Sequence, residues 1–137
     1  ALLNKESGLR GICGVNDMRE ISRLAQEGNA DAQLAIRMYV YRLRKYIGSY
    51  AAVLGRLDAL VFTGGIGENA AQIRYETCRD LEFFGIAIDE AKNNQRSREA
   101  REIQSPESRV RILVVPTNEE LEIADQTTLV LQKENLV

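Results

Sequence analysis

Residues 61–74 read VFTGGIGENAAQIR: an apolar, β-branched run breaks into three glycines within four positions and resumes at once with helix-forming residues. A strand that turns directly into a helix is the unit of α/β folds. LDALVFTG predicts a buried strand of about six residues. Gly64, Gly65 and Gly67 exceed what a change of direction requires. Glycine is needed where φ must be positive or where the backbone lies directly against something else.

The flanking pattern extends this unit to the whole chain. Asn16 or Asp17 caps a helix over 17–27 that Gly28 stops, with Ile21, Leu24 and Ala25 at helical spacing. From Ala30 to Gly55 the residues Ile36, Val40, Leu43, Ile47, Tyr50 and Leu54 step by four, three, four, three and four, one stripe along a long helix. Arg37, Arg42, Arg44 and Lys45 then form its solvated side. ENAAQIRYETCRDL predicts a helix with Ala70, Ile73, Thr77 and Leu81 inward, and FFGIAID predicts a second strand. EAKNNQRSREAREIQSPES is nearly devoid of apolar residues and predicts an exposed loop with one helical turn. RVRILVV predicts a third strand ended by Pro116, before a helix with Leu121, Ala124, Thr128 and Leu131 on one side. The alternation predicts a single α/β domain over 1–137 with a largely parallel sheet.

Composition excludes several function classes. Among 137 residues there is no histidine, so Ser-His-Asp triads, Cys-His pairs and imidazole metal sites are absent from this chain. The net charge of −2, with Lys and Arg spread throughout, gives no basic face for nucleic acid. No apolar run reaches the roughly 20 residues that cross a bilayer, and ALLNKESGLR lacks a leader layout, which predicts a cytoplasmic protein with no membrane partner. Cys13 and Cys78 have no pairing motif and read as small buried hydrophobes. The initial Ala predicts a processed or cut chain.

The glycine turn admits several occupants. No Lys follows it, so it is not a Walker phosphate loop. Gly65 to Ala70 satisfies G-x-G-x-x-[GA] with Asp89 at the end of the next predicted strand, a dinucleotide fingerprint, although Glu68 would repel a pyrophosphate there. The turn can instead receive adenosine, with Glu68 and Asn69 as hydrogen-bonding groups, or merely join strand to helix. Two other places bear on the choice. Thr117 and Glu120 have capping-box spacing, leaving Glu119 either to complement the helix dipole or to reach Mg²⁺ through a water. Asp17, Met18 and Arg19 combine an acid, an apolar side chain and a planar guanidinium, a set suited to a ribose and a base.

FTGGIGENAAQIR, the following IAID, a polar loop and VRILVVPTNEELEIADQT, in this order, closely resemble the carboxyl-terminal part of the acetate kinase family, which includes propionate and butyrate kinases. SGLRGICGVNDMREI resembles a further family segment, although Val15-Asn16-Asp17 is one residue shorter than the family's V-S-x-D. The resemblance implies a ribonuclease-H-like fold of the actin, sugar-kinase and heat-shock-chaperone type, with ATP or ADP between two domains. It implies that Asp17, Met18 and Arg19 border adenine and ribose, that Gly65, Ile66, Gly67, Glu68 and Asn69 form the adenosine turn, that Glu119 stands near Mg²⁺, and that Arg74 lies close by. The implied enzyme is a homodimer that phosphorylates acetate, propionate or a similar short-chain carboxylate. Its phosphoryl-transfer groups lie upstream of the residues present here. A dinucleotide-binding oxidoreductase domain, or an association module pairing through the stripe from Ile36 to Leu54, are the competing expectations.

Overall fold

The computed structural model describes residues 5–133; the opening ALLN, part of the leader reading, lies outside them. The first described elements are α1 (Gly8–Cys13), α2 (Met18–Gln26) and α3 (Ala30–Leu54). Asp17 caps α2 by accepting from the Arg19 N–H, and Asn29 caps α3 by accepting from the Ala32 N–H. Gly55 closes α3 at φ 74°, a left-handed conformation that glycine adopts without the steric cost of a Cβ.

Strand β1 (Ala59–Phe62) leads into α4 (Gly64–Asn69) and, after a break at Ala70, α5 (Ala71–Cys78). The expected glycine turn is therefore itself one and a half turns of helix. Ile73, Thr77 and Leu81 face inward as the periodicity requires. A 3₁₀ turn at Glu82–Phe84, α6 (Glu90–Asn94), β2 (Arg101–Glu102), β3 (Arg111–Val114) and α7 (Glu119–Lys133) complete the described chain.

The sheet has the order β1-β3-β2. β1 pairs with β3 in parallel, Ala59 opposite Arg111, and β2 pairs with β3 antiparallel, Arg101 opposite Val114. The α/β class is as expected, but the sheet is mixed. The connection 103–110 is too short for a parallel crossover, so β2 and β3 must run oppositely. The FFGIAID strand does not form. Gly85 at φ 81° breaks the extended run, and only an isolated bridge, Ile88 with Gln104, remains. The polar stretch after it forms its expected helical turn as α6, but it is not exposed throughout, because Asn93 and Ile103 are buried and the stretch also supplies β2. β1 is shorter than expected and lies at the sheet edge with Val61 50% exposed.

Two apolar clusters hold these elements. One joins Met18 and Ile21 of α2 to Ala35, Ile36 and Val40 of α3 and Ile73 of α5. The other lies around the sheet, where Ile86, Ile103, Ile112 and Val114 are fully buried with Cys78. Along the α3 stripe Ile47 still packs against the second cluster, and beyond it Tyr50 and Leu54 are exposed. α7 buries none of its described side chains, so its expected inward face is uncovered.

Candidate functional site

Three segments meet at a cleft of about 1330 Å³: the start of α2, the glycine helix α4, and the run 93–101. The cleft thus brings together all of the sequence-derived residues from Asp17 to Arg19 with Gly65, Ile66, Glu68 and Asn69, while Gly67 sits behind it. Among the described residues, Glu119 and Asp89 do not line it.

At the α2 end, Asp17 accepts from the Arg19 backbone N–H at 2.8 Å and from its guanidinium at 3.1 and 2.6 Å. The guanidinium hydrogen bond, reinforced by the backbone N–H, lowers the Asp17 pKa to about 2. Met18 is buried in the α2–α3 core and shows only its edge to the cleft.

The three glycines of α4 have three different reasons. Gly64 has φ 69°. A Cβ on Gly67 would lie 3.1 Å from the Phe62 carbonyl carbon, so strand and helix would have to give way to it. A Cβ on Gly65 would meet nothing within 4 Å, and its φ is not positive. Among the described residues neither the backbone nor the packing requires glycine there, yet it faces the cleft. Asn69 closes the turn by donating from Nδ2 to the Gly65 carbonyl at 3.0 Å.

Arg74 supports α4 from beneath. Its Nη1 donates to the Gly67 and Glu68 carbonyls at 2.8 and 2.9 Å, Nε to Asn93 Oδ1 at 2.8 Å, and Nη2 to the Asn93 carbonyl at 2.7 Å. Asn93 Nδ2 returns a bond to the Ala71 carbonyl at 2.9 Å. Desolvation, then the Arg101 charge, brings the Arg74 pKa down to about 10. On the solvent side, Glu68 accepts from the backbone N–H and the hydroxyl of Thr117, each at 2.9 Å, and these bonds lower its pKa.

That contact replaces the expected capping box. Thr117 is turned toward Glu68, and Asn118 caps α7 instead, its Oδ1 accepting from the Leu121 N–H at 3.1 Å. Glu119, the first residue of α7, is exposed. Asp89 does not point to a ribose site; it caps α6 by accepting from the Lys92 N–H at 2.9 Å. Sequence reasoning missed the far wall of the cleft, where Arg96, Arg98 and Arg101 stand beside Asn93 to Gln95. The three arginines within six residues were the available signal. A separate, largely apolar hollow of about 870 Å³ between α3 and α5 contains none of the candidate residues.

A mixed α/β sheet whose glycine-started helix opens on a polar cleft defines this molecule as an α/β protein of the ribonuclease-H-like type, the fold of the solved acetate kinases it matches. The chain belongs to the acetokinase family, whose pattern it matches over residues 1–125. It is 57% identical over 134 residues to the acetate kinase of Nitratidesulfovibrio vulgaris (strain DSM 19637 / Miyazaki F), covering 98% of this chain and 33% of that protein. Among solved structures it is similar to Porphyromonas gingivalis acetate kinase, with TM-score 0.85 and 47% identity, covering 95% of this chain and 33% of that one. It is also similar to a propionate kinase from Francisella tularensis subsp. tularensis SCHU S4, with TM-score 0.79 and 51% identity over 90% of this chain and 31% of that one. The chain spans about a third of the length of the relatives it matches. The oxidoreductase alternative has lost its ribose acid to a helix cap and has no support among these relatives.

Proposed function

We propose that this chain is the carboxyl-terminal, adenosine-holding domain of a short-chain carboxylate kinase, which reversibly transfers the γ-phosphoryl group of ATP to acetate or propionate, giving an acyl phosphate and ADP. The observation that carries this reading is the cleft itself, which joins Asp17 to Arg19 with the glycine helix and leaves Gly65 without a Cβ where nothing among the described residues would obstruct one. An open backbone surface beside hydrogen-bonding groups fits the flat face of a nucleoside. Asp17 and Arg19 would hold the ribose edge, Met18 would supply apolar contact, and Ile66 and Asn69 would shape the turn around adenosine.

Among the described residues no cluster of three acidic or sulfur ligands could cage a metal ion. A lone carboxylate fits Mg²⁺ that arrives on nucleotide phosphates and keeps most of its waters, and Glu119 would hold it in that way. Bound Mg²⁺ supplies charge neutralisation on the transferred phosphoryl group. The chain alone is expected to be inactive, and the intact enzyme is expected to work as a homodimer in the cytoplasm. Among the described residues no helix is long and apolar enough to cross a membrane.

The test is a calorimetric titration of this chain with MgADP, run beside NAD and repeated on Gly65→Ala. A Cβ in a helix should leave stability unchanged or raise it by up to about 1 kcal/mol. MgADP affinity is expected to fall at least about tenfold in the same variant, through the steric cost of a methyl group against the ligand. Binding of NAD in place of ADP, or full ADP affinity in Gly65→Ala, would overturn the reading.

A further inference from the structure

Glu68 and Thr117 stand 49 residues apart, and one carboxylate oxygen of Glu68 accepts both donors of Thr117. The layer beneath is tied in the same place. Thr63 Oγ1 donates to the Val115 carbonyl at 2.8 Å, and the Val115 N–H donates to the Phe62 carbonyl at 2.9 Å. The exits of β1 and β3 therefore form one unit as far as Thr117, two residues before Glu119. α7 buries no described side chain, and among the described residues Gln126, Thr127 and Thr128 bond within the helix. Among the described residues, the side-chain hydrogen bonds that tie it to the rest of the molecule lie in the segment that leads into it.

We propose that Glu68 is a positioning residue, which seats Thr117 and thereby the Glu119 end of α7 beside the glycine helix, rather than a group that touches the nucleotide. A carboxylate oxygen already engaged by two donors has less to offer a ligand, and a fixed negative charge suits phosphates poorly. The clamp stands on the hydrogen bonds alone; its consequence for nucleotide binding rests on the function proposed above.

Amide hydrogen exchange, read residue by residue on this chain, tests the clamp without any ligand. In Glu68→Ala the Thr117 and Leu121 amides are expected to exchange about tenfold faster, while Ile21 and Ile36 in the α2–α3 core are unchanged. Thr117→Val, which loses one donor, should show a smaller effect; Thr117→Ser, which keeps both, should match the parent chain. The double variant Glu68→Ala/Thr117→Val should be no faster than Glu68→Ala, because both remove the same contact. Parent-like exchange at Thr117 and Leu121 in Glu68→Ala overturns the proposal.

MgADP titration of the same variants then separates positioning from contact. Positioning predicts that Glu68→Ala and Thr117→Val both weaken binding, non-additively, with Thr117→Ser restoring it. Weakening by Glu68→Ala alone, additive with Thr117→Val, makes Glu68 a ligand and overturns the proposal. If the parent chain binds no MgADP while the exchange pattern holds, the nucleotide reading fails and the clamp stands.

Discussion

At the residue scale, Arg74 explains more of the site than any residue that faces the cleft. It is 1% exposed and, among the described ion pairs, has no carboxylate partner; its charge is met by three carbonyls and one amide oxygen. With its pKa at about 10 it stays protonated at neutral pH. Only a planar fork can reach Asn93 and the end of α4 together, because lysine presents its donors from a single nitrogen. Arg74→Lys is therefore expected to leave at least two buried acceptors unmet and to lower stability by about 3 kcal/mol, read from the urea midpoint. Parent-like stability would show that the fork is dispensable. Sequence spacing makes Arg74 a neighbour of the glycine segment but cannot reveal its partner. Asn93 lies in a stretch that looks like an exposed loop, and no periodicity joins residues 19 positions apart. Thr117 was misread for the same reason: its local partner, Glu120, satisfies a spacing rule, and its actual partner, Glu68, is distant.

Elements with long, regular apolar spacing were legible. α2 and α3 fall where cap and stripe predict, because Asp17, Gly28 and Gly55 act within their own turn. Short elements were not, because a single tertiary contact decides them: buried Ile103 draws a charged stretch into β2, and Gly85 turns an apolar run away from strand geometry. α7 is the reverse case, a periodic helix on whose face no described side chain is buried. The two kinds of helix are expected to respond oppositely to truncation. Ile21→Ala removes a fully buried side chain and should cost about 2–5 kcal/mol. Leu121→Ala removes an exposed one and should change stability by less than about 0.5 kcal/mol. Denaturant unfolding of both variants decides this, and a cost near 2 kcal/mol for Leu121→Ala would mean that α7 is packed in solution.

Across the whole molecule, apolar surface collects outside the cleft. The last turns of α3 expose Tyr50 at 62%, Val53 at 83% and Leu54 at 65%, continuing the stripe whose first half is core. Stripes of this kind are maintained when something covers them. A helix of 25 residues is about 37 Å long, enough for two copies laid side by side to bury a standard interface. No α3 residue lines the cleft, so association and nucleotide binding should be separable. Sedimentation of the chain is expected to show a concentration-dependent dimer, and Tyr50→Glu/Val53→Glu is expected to sediment as a monomer with unchanged helix content. MgADP affinity should be the same in both if adenosine is held by one copy alone. A parent chain that stays monomeric at high concentration would remove pairing through α3. A variant that loses dimer and ADP binding together would mean that the cleft depends on the second copy for its shape.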